Sequence, residues 1–170
     1  MHDLLRDGDG FVWIGVHFGS RGLGHTSATR YLKLAGGHKH SCLLESVVGG
    51  ERFGRYSFIG LPARTLLRST RDTTEVVTDG LVVERHEGNP LEFIGAYQQR
   101  FKVALRPGLP RFCGGLAGYF GYDAVRHIEP KLARTWKDGG LGTPDILLLQ
   151  TEELAVIDNL SGRLYLIVYA

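Results

Sequence analysis

Residues Cys42 to Leu61 read C-L-L-E-S-V-V-G-G-E-R-F-G-R-Y-S-F-I-G-L, and this stretch decides the fold. Two apolar runs lie on either side of Gly49-Gly50, which is the pattern of a strand, a turn and a second strand. Glu45 lies inside the first run, where a buried carboxylate needs a partner or an opening. One interpretation is a ligand-binding role. The other is a structural ion pair with one of three arginines, Arg52, Arg55 or Arg68.

More strands are predicted on both sides of this stretch. Residues 11–17 are apolar and β-branched enough for a strand, and Asp79-Gly80 between two β-branched runs is a strong hairpin signal. The interleaved glycines of residues 114–122 indicate a strand that another backbone approaches closely. A turn is predicted at residues 158–162, before the last strand. The strands are short and follow one another closely, as in an antiparallel sheet.

One long helix is predicted after the hairpin. Asn89-Pro90 is a typical helix start, and apolar residues recur at helical spacing as far as Pro107. These residues are interpreted as core rather than as a ligand box: Leu91, Ile94, Tyr97, Phe101 and Leu105. The predicted fold is therefore α+β, a largely antiparallel twisted β-sheet with one main helix, over about residues 90–106, packed on it.

Composition excludes several classes of function. The 170 residues can bury one hydrophobic core without disulfides, and 43% hydrophobic with 22% charged residues is typical of soluble globular proteins. A net charge of +2 with scattered basic residues argues against a nucleic-acid partner. No apolar run reaches the length of a membrane span, and the first residues do not form a signal peptide. We therefore expect a cytoplasmic protein with no membrane partner, in which Cys42 and Cys113 are reduced thiols.

Two motifs carry a family resemblance. L-L-E-S and G-G-E-R-F-G-R-Y-S-F-I-G lie between Leu43 and Gly60, and F-C-G-G-L-A-G-Y-F-G-Y-D-A-V-R follows from Phe112 to Arg126. In both motifs the chain resembles the N-terminal region of anthranilate synthase component I, over about residues 31–170. The resemblance implies that the chorismate-binding catalytic half of that family lies beyond the matched region. It also implies a tryptophan-binding role for four residues, Glu45, Ser46, Arg55 and Tyr56.

An N-terminal motif resembles a second family. H-F-G-S-R-G-L-G-H-T-S-A-T-R-Y-L-K, which starts at His17, is similar to a segment of the RtcB family of RNA-splicing ligases, over about residues 9–37. In that family the histidine matching His17 is a metal ligand, but the other ligands and the guanylated histidine have no counterpart here. RNA ligation is therefore not expected. We therefore expect a fusion of two origins, in which residues 1–37 add a ligase-derived strand, glycine loop and short helix to a truncated synthase domain of residues 38–170, in one compact unit.

Histidines near the N-terminus suggest a second kind of site. His38 and His40 point to the same side of an extended segment, and His17 or His25 could complete a set of nitrogen ligands for zinc or manganese. Such a metal would acidify a bound water for the hydrolysis of a phosphoester or an ester. The glycine loop could bind an anion through Ser20, Arg21 and Gly22. The alternative is that these are solvated loop residues.

The sequence therefore supports two functional hypotheses, neither with assigned catalytic residues. The leading one is a non-catalytic remnant of an anthranilate synthase large subunit, with at most weak tryptophan binding, since the resembled pocket is completed by the other half. The alternative is a small metal-dependent hydrolase that uses the N-terminal histidines. In either case exposed sheet edges predict a homo-oligomer, and the small-molecule partner is an amino acid or a phosphoester.

Overall fold

The computed structural model describes residues 39–44, 55–102, 107–129, 131–132 and 142–169, together with the backbone of residues 2–6 and 12–16. The chain divides into two compact units. The first unit comprises Met1–Ala63, Ala104–Gly115 and Thr151–Ala170, and the second comprises Arg64–Val103 and Leu116–Gln150.

Strands dominate the described residues. In chain order they are β1 (His2–Arg6), β2 (Val12–Val16), β3 (Cys42–Leu44), β4 (Tyr56–Gly60), β5 (Thr65–Thr70), β6 (Thr73–Thr78), β7 (Leu81–Glu87), β8 (Gly115–Phe120), β9 (Ile146–Thr151), β10 (Glu153–Asp158) and β11 (Arg163–Val168). The α-helix α1 (Pro90–Gln98) precedes β8, and a 3₁₀ helix (Tyr122–His127) follows it. The predicted α+β class with one main helix is confirmed. Within the described residues, no helix is both long enough and apolar enough to cross a membrane.

The first unit is built on a four-stranded sheet with the order β11-β10-β4-β3. Strand β10 pairs antiparallel with both β4 and β11. One face carries the buried residues Leu154, Val156, Tyr165 and Ile167, which pack with Cys113, and the other carries Ile59, Ala155 and Leu164. Strands β1 and β2 form a separate antiparallel hairpin, so the strand predicted at residues 11–17 is confirmed. The glycine loop and the short helix predicted for the same N-terminal segment, residues 1–37, lie outside the described residues.

The second unit is a five-stranded sheet with the order β7-β6-β5-β9-β8, and α1 packs on one of its faces. The core between them contains Leu67, Val76, Phe93, Ile94, Tyr97, Ala124, Ile146 and Leu148. The hairpin predicted at Asp79-Gly80 is confirmed, with φ of 50° and 82° at these two residues. Both values lie in the left-handed region, which a two-residue type I′ turn requires.

Helix α1 begins where the sequence predicts and ends earlier. Asn89 caps its start, because its side-chain oxygen accepts a hydrogen bond from the Leu91 N–H at 3.0 Å. The helix ends at Gln98 and not at residue 106, so the predicted length is wrong. After Gln98 the N–H groups of Arg100 and Phe101 bond three residues back, which tightens the last turn and ends the α-helical pattern.

The side chain of Arg100 gives a physical reason for this early end. Its guanidinium makes two hydrogen bonds to the carboxylate of Glu84 on β7, at 2.6 and 2.8 Å, and lies 4.9 Å from the centre of the Tyr97 ring. Tyr97 is 6% exposed, as the core interpretation predicted, whereas Phe101 is 49% exposed. The apolar stripe therefore faces the core only as far as Tyr97, and a longer helix would bury no further apolar side chain at residue 101.

The two thiols differ in their surroundings, and we expect them to differ in reactivity. Both are free, Cys42 is half-buried, and Cys113 is buried, with its thiol donating a hydrogen bond to the carbonyl oxygen of Pro110 at 2.7 Å. Burial raises the pKa of the Cys113 thiol and so lowers its thiolate fraction. With Ellman's reagent, one thiol should react in the native protein and the second only on unfolding. A Cys42→Ser variant should lose the first phase; loss of the second phase instead would contradict this assignment.

Candidate functional site

The amino-acid site predicted from the sequence falls between the end of β3 and the start of β4 along the chain, at Glu45, Ser46, Arg55 and Tyr56. These strands pair antiparallel, with Leu44 opposite Phe58. Glu45 and Ser46 follow β3 directly in the sequence, but both lie outside the described residues. The described part of the site is therefore the start of β4 and the structure that holds it.

Arg55, which precedes β4, is bound by a carboxylate on the neighbouring strand. Its Nε and Nη2 atoms donate to the two carboxylate oxygens of Asp158, at 3.1 and 2.8 Å. Asp158 is 1% exposed, whereas the Arg55 side chain is 42% exposed. This bidentate geometry fixes the guanidinium plane as well as the distance, so Arg55 joins the start of β4 to the end of β10.

The Asp158 carboxylate has further donors. The backbone N–H groups of Leu160 and Ser161 point at its Oδ1 atom, at 3.1 and 3.3 Å. Together with the hydrogen bonds from Arg55, which contribute most, they hold the pKa of this carboxyl well below its usual range. In return, Asp158 raises the pKa of the Arg55 guanidinium. The carboxylate therefore stays ionised while it is almost fully buried.

Asn159 makes a second connection between the same two segments. Its backbone N–H donates to the carbonyl oxygen of Arg55 at 2.7 Å, and its Nδ2 atom donates to the hydroxyl of Ser57 at 3.0 Å. Ser57 is 7% exposed. We call the set of Arg55, Ser57, Asp158 and Asn159 the β4–β10 clamp. It ties the first residues of β4 to the turn after β10 by both side-chain and backbone bonds.

Tyr56 lies beside the clamp and presents an aromatic surface. The Arg55 guanidinium is 4.9 Å from the centre of its ring, which is a cation–π distance. The ring also contacts Phe58, at a centroid distance of 6.1 Å, and Phe58 meets Phe112 edge to face at 5.6 Å. Tyr56 is half-buried. Its orientation is therefore fixed on both sides, while part of its surface stays accessible.

Two of the three arginines considered as ion-pair partners of Glu45 lie among the described residues. Both bind other carboxylates: Arg55 binds Asp158, and Arg68 binds Glu75 at 2.7 Å. Arg52 lies outside the described residues. Each of these two arginines therefore already binds one carboxylate, and the ion-pair interpretation of Glu45 stays a prediction.

The predicted metal site is described at one residue only. His40 is exposed, has a φ of 63°, and accepts a hydrogen bond from the Ala63 N–H at its carbonyl oxygen. The other predicted ligands, His17, His25 and His38, and the predicted anion-binding residues, Ser20, Arg21 and Gly22, lie outside the described residues. Within the described ranges, no group of three His, Cys, Asp or Glu side chains could hold a metal ion.

Sequence analysis missed Asp158 and Asn159 as members of the site and predicted only a turn there. The missed signal is the continuous apolar run Leu154 to Ile157 of β10, which ends on Asp158. A strand whose buried face ends on a carboxylate requires a cation opposite it. Asp158 lies opposite Tyr56 in the β4–β10 register, next to Arg55.

Comparison with known proteins identifies relatives of one kind. No protein-family model matches the chain. Curated relatives include anthranilate synthase component 1 of Neisseria meningitidis, 55% identical over 148 residues, which cover 85% of this chain and 30% of that protein. The Pseudomonas aeruginosa protein of the same name is 46% identical over 163 residues, 95% of this chain and 33% of that protein. That of Acetivibrio thermocellus is 40% identical over 126 residues, 74% of this chain and 25% of that protein.

These matches establish homology to the N-terminal region of anthranilate synthase component 1. The chain spans only 25% to 33% of the length of these three relatives. The Pseudomonas aeruginosa match covers 95% of the chain and so includes most of residues 9–37. A separate RNA-ligase-like origin of that segment is therefore not supported.

Proposed function

We propose that this chain is a non-catalytic, amino-acid-binding portion of an anthranilate synthase component 1, and that alone it binds tryptophan weakly and makes no anthranilate. The relatives that carry the name anthranilate synthase component 1 are about three times as long as the matched region, which accounts for about 30% of their length. The production of anthranilate is proposed only for a protein of that full length.

The observation that carries the proposal is the β4–β10 clamp. Because Asp158 holds Arg55 through two hydrogen bonds, the start of β4 has one fixed position against the end of β10, and β3 pairs with β4 as far as Leu44 opposite Phe58. Glu45 and Ser46 follow Leu44 directly in the sequence. We call the start of β4, Arg55 and Tyr56, the wall of the proposed site. A carboxylate and a hydroxyl beside a wall of fixed position are suited to binding the ammonium and carboxylate groups of a free amino acid.

The neighbouring aromatic surface supports tryptophan as the amino acid. Tyr56 is held between Arg55 and Phe58 and is partly accessible. An aromatic ring fixed by packing is a low-entropy surface for an indole, since stacked aromatic pairs contribute about 0.5–1.5 kcal/mol beyond area burial. The Nε and Nη2 atoms of Arg55 are already bound to Asp158, so we assign Arg55 to holding the wall and not to binding the ligand's carboxylate.

Titration calorimetry with L-tryptophan tests this proposal. We expect a dissociation constant of about 0.1–1 mM, because a single wall buries only part of the ligand. Glu45→Gln should weaken binding about tenfold or more, since it removes the charge opposite the ammonium group. Glu87→Gln, at an exposed carboxylate that pairs with Arg85 on β7, is the matched control and should bind as the unmodified protein does. Absence of a tryptophan signal, or equal affinity of the two variants, would refute the proposal.

Incubation of the same protein with chorismate, ammonia and Mg²⁺ tests the non-catalytic part of the proposal. Anthranilate fluorescence should stay at the level of a blank without protein. A rate that scales with protein concentration would overturn this part while leaving the binding experiment unaffected.

The hydrolase hypothesis stays a prediction. Of its four histidine ligands only His40 lies among the described residues, and it is exposed. No described contact favours this function over amino-acid binding, so we do not propose it.

A further inference from the structure

The sheet of the second unit ends in two edge strands of opposite character. At one end is β7, which pairs with β6, and at the other is β8, which lies next to β9. Among the described strands, neither has a second neighbour. An edge strand exposes a row of backbone donors and acceptors, and proteins normally protect such edges with charged side chains or bulges.

Strand β7 carries both kinds of protection. Its register with β6 shifts at a bulge between Val76 and Val77, and its second half holds Glu84, Arg85 and Glu87. Its first half exposes Leu81, Val82 and Val83. Apolar exposure therefore exists on β7, but charges occupy the rest of the same edge.

Strand β8 carries no charged side chain. Its sequence is G-L-A-G-Y-F, with Tyr119 40% exposed and Phe120 54% exposed. Apolar exposure continues in the following segment at Tyr122, which is 91% exposed. An apolar edge strand without charged side chains is a site for pairing with another strand.

We propose that β8 pairs antiparallel with β8 of a second copy of this chain, so that the two five-stranded sheets join into one. When a two-fold axis relates two antiparallel strands, the residue on the axis lies opposite the same residue of the other copy. A residue on one side of the axis then lies opposite the residue that is equally far on the other side in the second copy. An axis at Gly118 sets Leu116 opposite Phe120 of the other copy. It also sets Ala117 opposite Tyr119. Each large aromatic side chain thus meets a smaller apolar one on the same face, a favourable cross-strand combination.

The same operation on β7 explains why the second copy occupies β8. An axis at Glu84 sets two glutamates opposite each other, and an axis at Val83 sets Val82 opposite Glu84 and Leu81 opposite Arg85. Like charges directly opposite each other destabilise a strand pair. Self-pairing of β7 about Glu84 is therefore unfavourable, and self-pairing about Val83 sets a charged side chain opposite both Leu81 and Val82. Self-pairing of β8 sets only uncharged side chains opposite each other.

Analytical ultracentrifugation under reducing conditions tests the dimer. The unmodified chain should approach twice its mass of 18.8 kDa as concentration rises. Phe120→Lys places a charge on the β8 edge and should raise the dissociation constant of the dimer about tenfold or more. Val83→Lys adds the same charge at a similarly exposed residue of β7 and should leave the dimer intact.

Hydrogen exchange on the unmodified chain gives a readout that does not depend on how well Phe120→Lys folds. The amides of residues 115–120 should exchange more slowly as the protein is concentrated, and those of residues 81–87 should not change. A monomer at all concentrations, dimers of equal stability in both lysine variants, or protection at β7 instead of β8 would overturn the proposal. Tryptophan binding does not enter this test.

Discussion

Gly118→Ala is expected to destabilise the second unit by about 3 kcal/mol or more. A Cβ atom built on Gly118 would overlap the carbonyl oxygen of Leu147 and lie 2.9 Å from the Leu147 carbonyl carbon and the Cα atom of Leu148. These are backbone atoms of β9, a strand whose Leu148 side chain is 4% exposed in the core. Relief of the overlap therefore requires a movement of β8 away from β9, since no flexible side chain can give way.

Gly95→Ala is the matched control, because it is the same chemical change at a glycine with space around it. Gly95 lies inside α1, and a Cβ atom there would meet nothing within 4 Å. Alanine loses less backbone entropy than glycine when a helix forms, so this variant should be more stable by about 0.5–1 kcal/mol. Urea denaturation of the two variants should therefore shift in opposite directions. A Gly118→Ala protein as stable as the unmodified chain would show that β8 does not approach β9 this closely.

Sequence patterns predicted the parts of the fold that local chemistry determines. Asp79-Gly80 and Asn89-Pro90 are local signals, because the turn and the helix start depend on the φ preferences and hydrogen bonds of those residues themselves. The close backbone approach indicated by the glycines of residues 114–122 was also confirmed. It could be predicted because glycine within a strand often marks a place where another backbone comes too close for a side chain.

The end of α1 was not predicted from the sequence. The apolar periodicity continued to residue 105, but the helix ends at Gln98 and Arg100 binds Glu84. Periodicity shows which residues could face a core and not how far the sheet beneath them extends. The division of the sheets between two units is set by strand pairing between distant residues, such as Arg68 with Leu147.

The candidate site was predicted only at the residues that the family motif contains. Arg55 and Tyr56 are adjacent in sequence and stack on each other, so the motif brought them together. Asp158 is 103 residues from Arg55, and nothing in the spacing joins the two. The apolar run of β10 that ends on Asp158 does not identify the partner of this carboxylate either, because several arginines lie elsewhere in the sequence.

Asp158→Asn is the second substitution for which we expect a large effect, a loss of about 2 kcal/mol of unfolding free energy at pH 7. Hydrogen bonds to a charged group contribute about 1.5–3 kcal/mol, and this carboxylate accepts two from Arg55 and one each from Leu160 and Ser161. Asparagine keeps one acceptor oxygen and removes the charge while preserving shape. The loss of unfolding free energy therefore measures the contribution of the ionised carboxylate and not the effect of a cavity.

Asp79→Asn is the control, since Arg64 binds Asp79 with nearly the same geometry, at 3.1 and 2.6 Å. The Asp79 side chain is 54% exposed, whereas that of Asp158 is 1% exposed. Water screens an exposed pair, so this variant should differ little from the unmodified chain. Equal losses for the two substitutions would mean that burial does not distinguish the two pairs.

The pH dependence of stability separates the charge of Asp158 from its packing. Its folded pKa lies below the value of about 3.9 for an unfolded aspartate, so the unfolded state binds the proton first as pH falls. The stabilisation is therefore fully present above about pH 4 and is lost as the pH drops toward the folded pKa. Urea denaturation at pH 7, 5 and 3 gives the difference in unfolding free energy between the unmodified chain and Asp158→Asn. This gap should be the same at pH 7 and pH 5 and smaller at pH 3. A gap that stays constant to pH 3 would mean that asparagine disturbs packing, and the β4–β10 clamp would then not depend on an ionised Asp158.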